Sequence, residues 1–380
     1  MRIWTVYHEM SSFIRFLKQE TVLVVAWVLA LASMVLVPPD GKYLGYIDFE
    51  TLGLLFALMA VMTGLRGLGV FSRLGRMVLS HTGSTRQLEG VLIFLPFLTS
   101  MAVTNDVALI TFVPFALEVL DLVDQRDRII PVVSLQTIAA NLGSMATPIG
   151  NPQDLYLYAH YGLSPADFFR LIFPLTLASA LLLGLFLLLN KSKPLASAPQ
   201  LEEEPNAERQ SLLWGYGVLF LLCLGSVGGL IPVWFPCLVV LLFTALLDRK
   251  VLPRVDYALL LTFVGFFLFV GNLGRLPAFR ELVQQVLYHH EVVCAILASQ
   301  VISNVPAALL LSGFTDQGQA LLVGTNLGGL GTLIASMASL ISYKYVVRAL
   351  PGKKGRYLLW FSSANVLFLV VLFVLYCLLF

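Results

Sequence analysis

Apolar residues run through this chain in long blocks, separated by short polar clusters. A block of about 17–25 apolar residues is long enough to cross bilayer hydrocarbon as a helix. Read at that length, with breaks at charges and prolines, the pattern predicts single spans at 21–37, 50–65, 129–161, 168–190, 211–231, 234–247, 257–274, 317–350 and 356–380. Two further apolar stretches, 88–120 and 290–314, each carry a polar knot at the centre. The knots are Thr104-Asn105-Asp106 and Ser303-Asn304-Val305. Each stretch is too polar at its middle for a plain span and long enough for two half-helices, so each predicts a re-entrant hairpin. The spans 129–161 and 317–350 are interrupted differently. NLGSMATPIGN (141–151) places Gly143, Pro148 and Gly150 inside the first, and NLGGLGTLIAS (326–336) places Gly328, Gly329 and Gly331 inside the second. Proline and glycine oppose a continuous helix, so both are predicted to be broken. Arginines with apolar residues at helical spacing in 66–86 and 275–290 predict amphipathic helices on the membrane surface.

The order of these elements repeats. FETLGLLFALMAVMTGLRGLGVFSRL (49–74) is similar to YALLLTFVGFFLFVGNLGRLPAFREL (257–282), and a hairpin, a broken span and a last span follow each. The chain divides into an N-terminal segment with a first span (1–47), a first repeat (48–190), a linker with a connecting span (191–233) and a second repeat (234–380). With a cytoplasmic N-terminus and two hairpins, only Lys42, Arg170, Arg275 and Arg280 of the 24 Lys and Arg residues face outward. That bias fits the positive-inside rule and puts the C-terminus outside. The first copy then enters from outside and the second from inside. The expected fold is an all-α polytopic membrane protein of two inverted-topology repeats, each with a re-entrant helical hairpin and a broken transmembrane helix. This is the membrane signature of a secondary transporter.

Composition narrows the class. Hydrophobic residues are 58% of 380 and charged residues 12%, where soluble domains carry about a quarter. The ~10-residue alternating strands of an outer-membrane barrel are missing, and no basic stripe suits nucleic acid. Cys223, Cys237, Cys294 and Cys377 lie apart inside apolar segments and read as packing residues. The first twenty residues carry Arg2, Arg15 and Lys18 before an apolar run. The cleavage-like triplet Ala30-Leu31-Ala32 lies inside that run, so the segment is kept as a span. Residues 191–210, KSKPLASAPQLEEEPNAERQ, read as a solvated linker. Glu118, Asp121 and Asp124 among Arg126 and Arg128 read as a solvated loop, and His289 and His290 as interface residues. Neither HExxH nor GxSG nor paired protease aspartates occur, so no enzyme and no cofactor is expected.

The candidate chemistry lies at the four breaks. Thr104, Asn105, Asp106, Ser303 and Asn304 suit the N-caps of the returning half-helices, and Pro306 suits the first turn of the second. Helix N-termini would then present free N–H groups and positive dipole ends to the protein centre, a setting for an anion. The substrate-binding candidates are Thr104, Asn105, Asn141, Thr147, Asn151, Ser303, Asn304, Asn326 and Thr332. Asn151 can also cap a new half-helix, with Pro152 at its first position. Freed carbonyls at the breaks are ligands for a small cation. The coupling-ion candidates are Asp106, Asn105, Gly143, Asn304, Gly328 and Asp154. Asp106 can serve as a plain cap or hold Na⁺ or a transferable proton, and Asp154 as a second cation ligand or a first-turn acid.

These tips and the NxGxxxTPIG-like broken span resemble the ion transporter superfamily, which includes citrate and divalent-anion symporters, arsenite permeases and D-type sodium/proton antiporters. The resemblance runs from about 48 to 380. In that family paired Ser-Asn-Thr tips hold a substrate carboxylate and coupling Na⁺. Here Thr104-Asn105 and Ser303-Asn304 match the first two positions, while Asp106 and Val305 depart from the third. That departure resembles the arsenite-permease and antiporter branches, or the uncharacterised anion permeases beside them, and weakens the case for a dicarboxylate. The resemblance implies a homodimer in the lipid bilayer. The expectation is a secondary active transporter that moves a small anion across the plasma (inner) membrane, coupled to Na⁺ or H⁺, by alternating access. The alternatives are a sodium/proton antiporter and an arsenite or antimonite efflux permease.

Overall fold

The computed structural model describes residues 20–79, 82–190, 192–195 and 210–380. The polar N-terminal stretch with Arg2, Arg15 and Lys18, and most of the 191–210 linker, lie outside the described residues. All named elements among these are helical. They are α1 (Thr21–Leu36), α2 (Phe49–Gly67), α3 (Val70–Leu79), α4 (Thr85–Thr99), α5 (Asn105–Leu122), α6 (Ile129–Ser144), α7 (Pro152–His160), α8 (Pro165–Leu189) and α9 (Gln210–Val227). There follow α10 (Trp234–Leu247), α11 (Tyr257–Gly274), α12 (Pro277–Leu287), α13 (Glu291–Ile302), α14 (Asn304–Ser312), α15 (Gly318–Gly328), α16 (Met337–Ala349) and α17 (Lys354–Leu379). By length and composition α2, α8, α11 and α17 can each cross a membrane, and α1, α9, α10 and α13 are shorter apolar helices. The protein is a multi-pass membrane protein.

Sequence chemistry sets the breaks. Thr104 precedes α5 and Ser303 precedes α14, so each predicted hairpin divides at its polar knot. The broken spans divide at Met145–Asn151 and at Gly329–Ser336. The half-helices α7 and α14 have nine residues each. At 1.5 Å per residue that is about 14 Å, under half the hydrocarbon thickness. Asn151 accepts the Asp154 N–H (2.9 Å), with Pro152 in the first turn, as its sequence predicts. Asp48 and Asp256 start α2 and α11 in the same way, accepting from Thr51 N–H and Leu259 N–H, each at 2.9 Å.

Two glycines let α6 and α15 approach α4 and α13. A Cβ on Gly143 would lie 2.0 Å from the Phe97 carbonyl oxygen and 2.6 Å from Ser100 Oγ. A Cβ on Gly328 would lie 2.5 Å from Ser299 Oγ. Only residues without a side chain allow contact this close.

The contacts of Arg128 correct one expectation. Arg128 is no part of a solvated loop: its Nε and Nη2 bind Glu89 Oε1 and Oε2 at 2.6 and 2.8 Å. Glu89 is 3% exposed and also accepts from Asn190 Nδ2 at 3.1 Å. α4, α6 and the end of α8 are thereby tied together. Asp121 and Arg126, by contrast, pair on the exposed surface. Elsewhere, in the loop after α1, the Lys42 N–H and then Arg275 hold the Asp40 carboxyl below its ordinary range.

Candidate functional site

Each tip is tied to the loop of its own broken span, and the ties recur at matching positions in the two halves. The Asn105 N–H donates to Gly150 O (3.2 Å) and the Asn304 N–H to Ala335 O (3.0 Å). Asn105 Oδ1 accepts the Asp106 N–H (2.9 Å), and Asn304 Oδ1 the Val305 N–H (3.0 Å). Thr147 Oγ1 donates to Met101 O, and Thr332 Oγ1 to Gln300 O (3.2 Å). Gly150 and Ala335 each stand nine residues after the asparagine of the NLG motif, and the two threonines six residues after it.

These bonds correct the expectation of free N–H groups at the tips. In α14 the Asn304 and Val305 N–H groups are taken, Pro306 has none, and the Ala307 N–H bonds Ser303 O (3.0 Å). The first turn of α14 therefore offers an anion no donor in this state. In α5 the Asn105 and Asp106 N–H groups are likewise taken. Side-chain capping also differs: Thr104 and Ser303 make no side-chain cap bond, and the asparagines after them cap instead.

A second set of bonds crosses between the halves. Asn141 Oδ1 accepts from Asn105 Nδ2 (2.9 Å) and from Ser336 Oγ (3.1 Å). Asn151 Nδ2 donates to Ser144 Oγ and to Asn326 Oδ1, each at 3.2 Å. Asn326 Nδ2 donates to Asp154 Oδ1 at 2.6 Å. Asn141 of the first broken span thus meets Ser336 of the second, and Asn326 of the second meets Asn151 and Asp154 of the first. Asp154 is 0% exposed, and its Oδ2 has no partner. A buried carboxylate without a countercharge is costly.

A cavity of about 140 Å³ reaches this cluster from one side. Its walls include Arg66, Thr104, Asp106, Asn151, Arg254 and Asp256. Asp106 Oδ1 is buried without a partner, whereas Arg66 and Arg254 are exposed and take no part in the ion pairs of the described residues. The cavity wall therefore carries two guanidinium groups outside the ion pairs of the described residues and two carboxylates, one of them with an unsatisfied oxygen.

The structure brings together Thr104, Asn105, Asp106, Asn141, Asn151, Asp154, Asn304 and Asn326 at or beside this cluster, with Asn304 Nδ2 against Gly329. It places Thr332 on the exposed side of its loop and engages the Thr147 hydroxyl with a carbonyl. The Gly143 carbonyl accepts the Ala146 N–H (3.0 Å), and the Gly328 carbonyl accepts from Gln300 Nε2 (2.9 Å). Ser303 is buried, with Oγ 3.4 Å from Ala335 O. Sequence reasoning passed over Arg66, Arg254, Ser336 and Gln300. Gln300 had a signal, as a lone amide in the apolar arm EVVCAILASQVI. His289 and His290 line a separate cavity, and no group of three or more metal-ligating side chains occurs among the described residues.

Comparison with known proteins points to membrane transporters. The family model described as citrate transporter matches residues 13–319. The inner membrane protein YbiR of Escherichia coli is 33% identical over 309 residues, covering 78% of this chain and 80% of that protein. An uncharacterized transporter of Methanocaldococcus jannaschii is 30% identical over 335 residues, covering 86% of this chain and 88% of the relative. A silicon efflux transporter of Oryza sativa subsp. japonica is 36% identical over 136 residues, covering 35% of this chain and 27% of that protein.

Proposed function

The chain belongs to the citrate transporter family, and from that premise we propose that it moves a small anion across the plasma membrane, coupled to Na⁺ or H⁺. The observation that carries this reading is the cavity whose walls carry Arg66 and Arg254 as well as Asp106 and Asp256. The guanidinium groups draw in and orient an oxyanion. A fixed carboxylate would repel that anion unless a proton or cation neutralised it, and this links the two ligands energetically. Asp106 takes the coupling ion, Na⁺ or H⁺, and Asp154 is the second acidic group of the cluster. Thr104, Asn105, Asn141, Asn151, Asn304 and Asn326 supply neutral polar contacts. Pockets for drug-sized ligands span about 300–1,000 Å³, so a cavity of about 140 Å³ suits a solute of few heavy atoms.

The two halves act as inverted repeats, each with a re-entrant hairpin. The paired bonds Asn105–Gly150 with Asn304–Ala335, and Thr147–Met101 with Thr332–Gln300, support this reading. Alternating access would move the hairpins and broken spans together relative to a scaffold, in a homodimer with cytoplasmic N-termini and outward C-termini.

A second reading has its own support. The N–H groups of Asn105, Asp106, Asn304 and Val305 are engaged, and one relative is named a silicon efflux transporter, which together favour an uncharged hydroxide of a metalloid as cargo. Thermal stability of the detergent-purified protein against a panel of oxyanions and of arsenite, antimonite and silicic acid, with and without Na⁺, at acid and neutral pH, separates the readings. A ligand that binds the folded state raises apparent stability. The anion reading expects one oxyanion to stabilise in a Na⁺- or pH-dependent manner, with the dependence lost in Asp106→Asn. Stabilisation by an uncharged hydroxide alone selects efflux, and stabilisation by Na⁺ or Li⁺ alone selects an antiporter.

A further inference from the structure

Three main-chain carbonyls converge on one side-chain nitrogen in the second half. Gln300 Nε2 lies 2.9 Å from Gly328 O, 2.9 Å from Leu330 O and 3.3 Å from Ile296 O. Its Oε1 accepts the Thr332 N–H at 2.9 Å. The loop wraps this amide closely: Gly331 has φ +108°, and a Cβ there would lie 2.4 Å from Gln300 Oε1. Gly328 O and Leu330 O are released by the break, while Ile296 O belongs to the intact helix α13. Carbonyls freed in this way and aimed at one point are what a transporter offers a small cation. Here that point is occupied by an NH₂ group, whose protons carry partial positive charge without the cost of burying an ion. The first half is built differently. Met101 stands four residues before Asn105, as Gln300 stands four before Asn304, and a thioether supplies no such donor.

We propose that Gln300 is a tethered substitute for a cation. Its amide fills the carbonyl cage of the second broken span and makes that half independent of an ion. Cation binding is left to the acidic groups of the first half, Asp106 and Asp154. Under the coupled-transport reading, on which this consequence rests, cation coupling is confined to the first half. The cage itself is testable without any transported solute.

The test measures melting of the purified full-length protein in NaCl, LiCl, KCl and choline chloride at constant ionic strength. An Asp106→Asn/Asp154→Asn background removes both proposed first-half groups. In that background alone, the small cations should match choline. Adding Gln300→Met, which supplies the residue found at the equivalent position of the first half, should lower the melting temperature in choline. Na⁺ or Li⁺ should then restore it in a saturable way. A loss that no small cation restores would reduce Gln300 to an ordinary hydrogen-bonding clamp and overturn the proposal, as would no loss at all. Should the Met variant fail to fold, Gln300→Glu in the same background gives the second test. A carboxylate against three carbonyls should make stability depend on Na⁺ or on acid pH, and indifference to both would overturn the assignment. Cation rescue in a protein that takes up no anion would leave the cage standing and remove the transport reading instead.

Discussion

Ser303 holds φ +73° and ψ 155°, a region that residues with a Cβ rarely enter. Such a conformation costs about 1–3 kcal/mol and persists where the surroundings over-determine it. The bond from Asn304 N–H to Ala335 O and the approach of Ser303 Oγ to the same carbonyl do that here. Ser303→Gly is expected to hold or raise the melting temperature, and Ser303→Val to lower stability by about 1–3 kcal/mol, read by thermal melts of both variants. Charge pairs divide by burial in the same manner. Glu89→Ala leaves the Arg128 guanidinium without its partner in a partly buried site, so a loss of about 3 kcal/mol is expected. Asp121→Ala breaks an exposed pair and should cost under about 1 kcal/mol. Equal losses in the two melts would contradict this account of the hairpin base.

Between elements, the bonds joining the broken spans decide whether the two halves share one site. Asn326 and Asp154 meet at 2.6 Å across 172 residues of chain. Asn326→Ala and Asp154→Asn are expected to be non-additive by about 0.5–3 kcal/mol in a double-mutant cycle of melts, and strict additivity would show that the contact carries no energy. The elements themselves were legible from local pattern. Apolar length marked the spans, the polar knots at Thr104-Asn105-Asp106 and Ser303-Asn304 marked two breaks, and the glycines and prolines after NLG marked the others. What escaped was lateral. That Gly150 O and Ala335 O take the tip N–H groups, or that Gln300 reaches Gly328 and Leu330, depends on contacts between segments with no shared periodicity. The same holds for Arg66 and Arg254, which sequence places only near helix ends and the fold places on one cavity.

At the scale of the whole molecule, apolar side chains such as Val35, Leu230 and Leu378 are strongly exposed, as lipid-facing residues should be. The proposed orientation puts Lys42 outside and Lys250 inside. In a variant lacking the four native cysteines, a Lys42→Cys thiol is expected to react with an impermeant reagent in intact cells. A Lys250→Cys thiol should react only after permeabilisation, and the opposite pattern would invert the topology. The bonds across the halves also impose an order in time. Asp154 and Asn151 leave the ribosome well before Asn326, which follows Asp154 by 172 residues. At 5–20 residues per second that is about 10–35 s of translation. Through that interval the Asp154 carboxylate of the first half lacks its Asn326 partner, an unsatisfied polar group of the kind an insertase or a quality-control protease could act on.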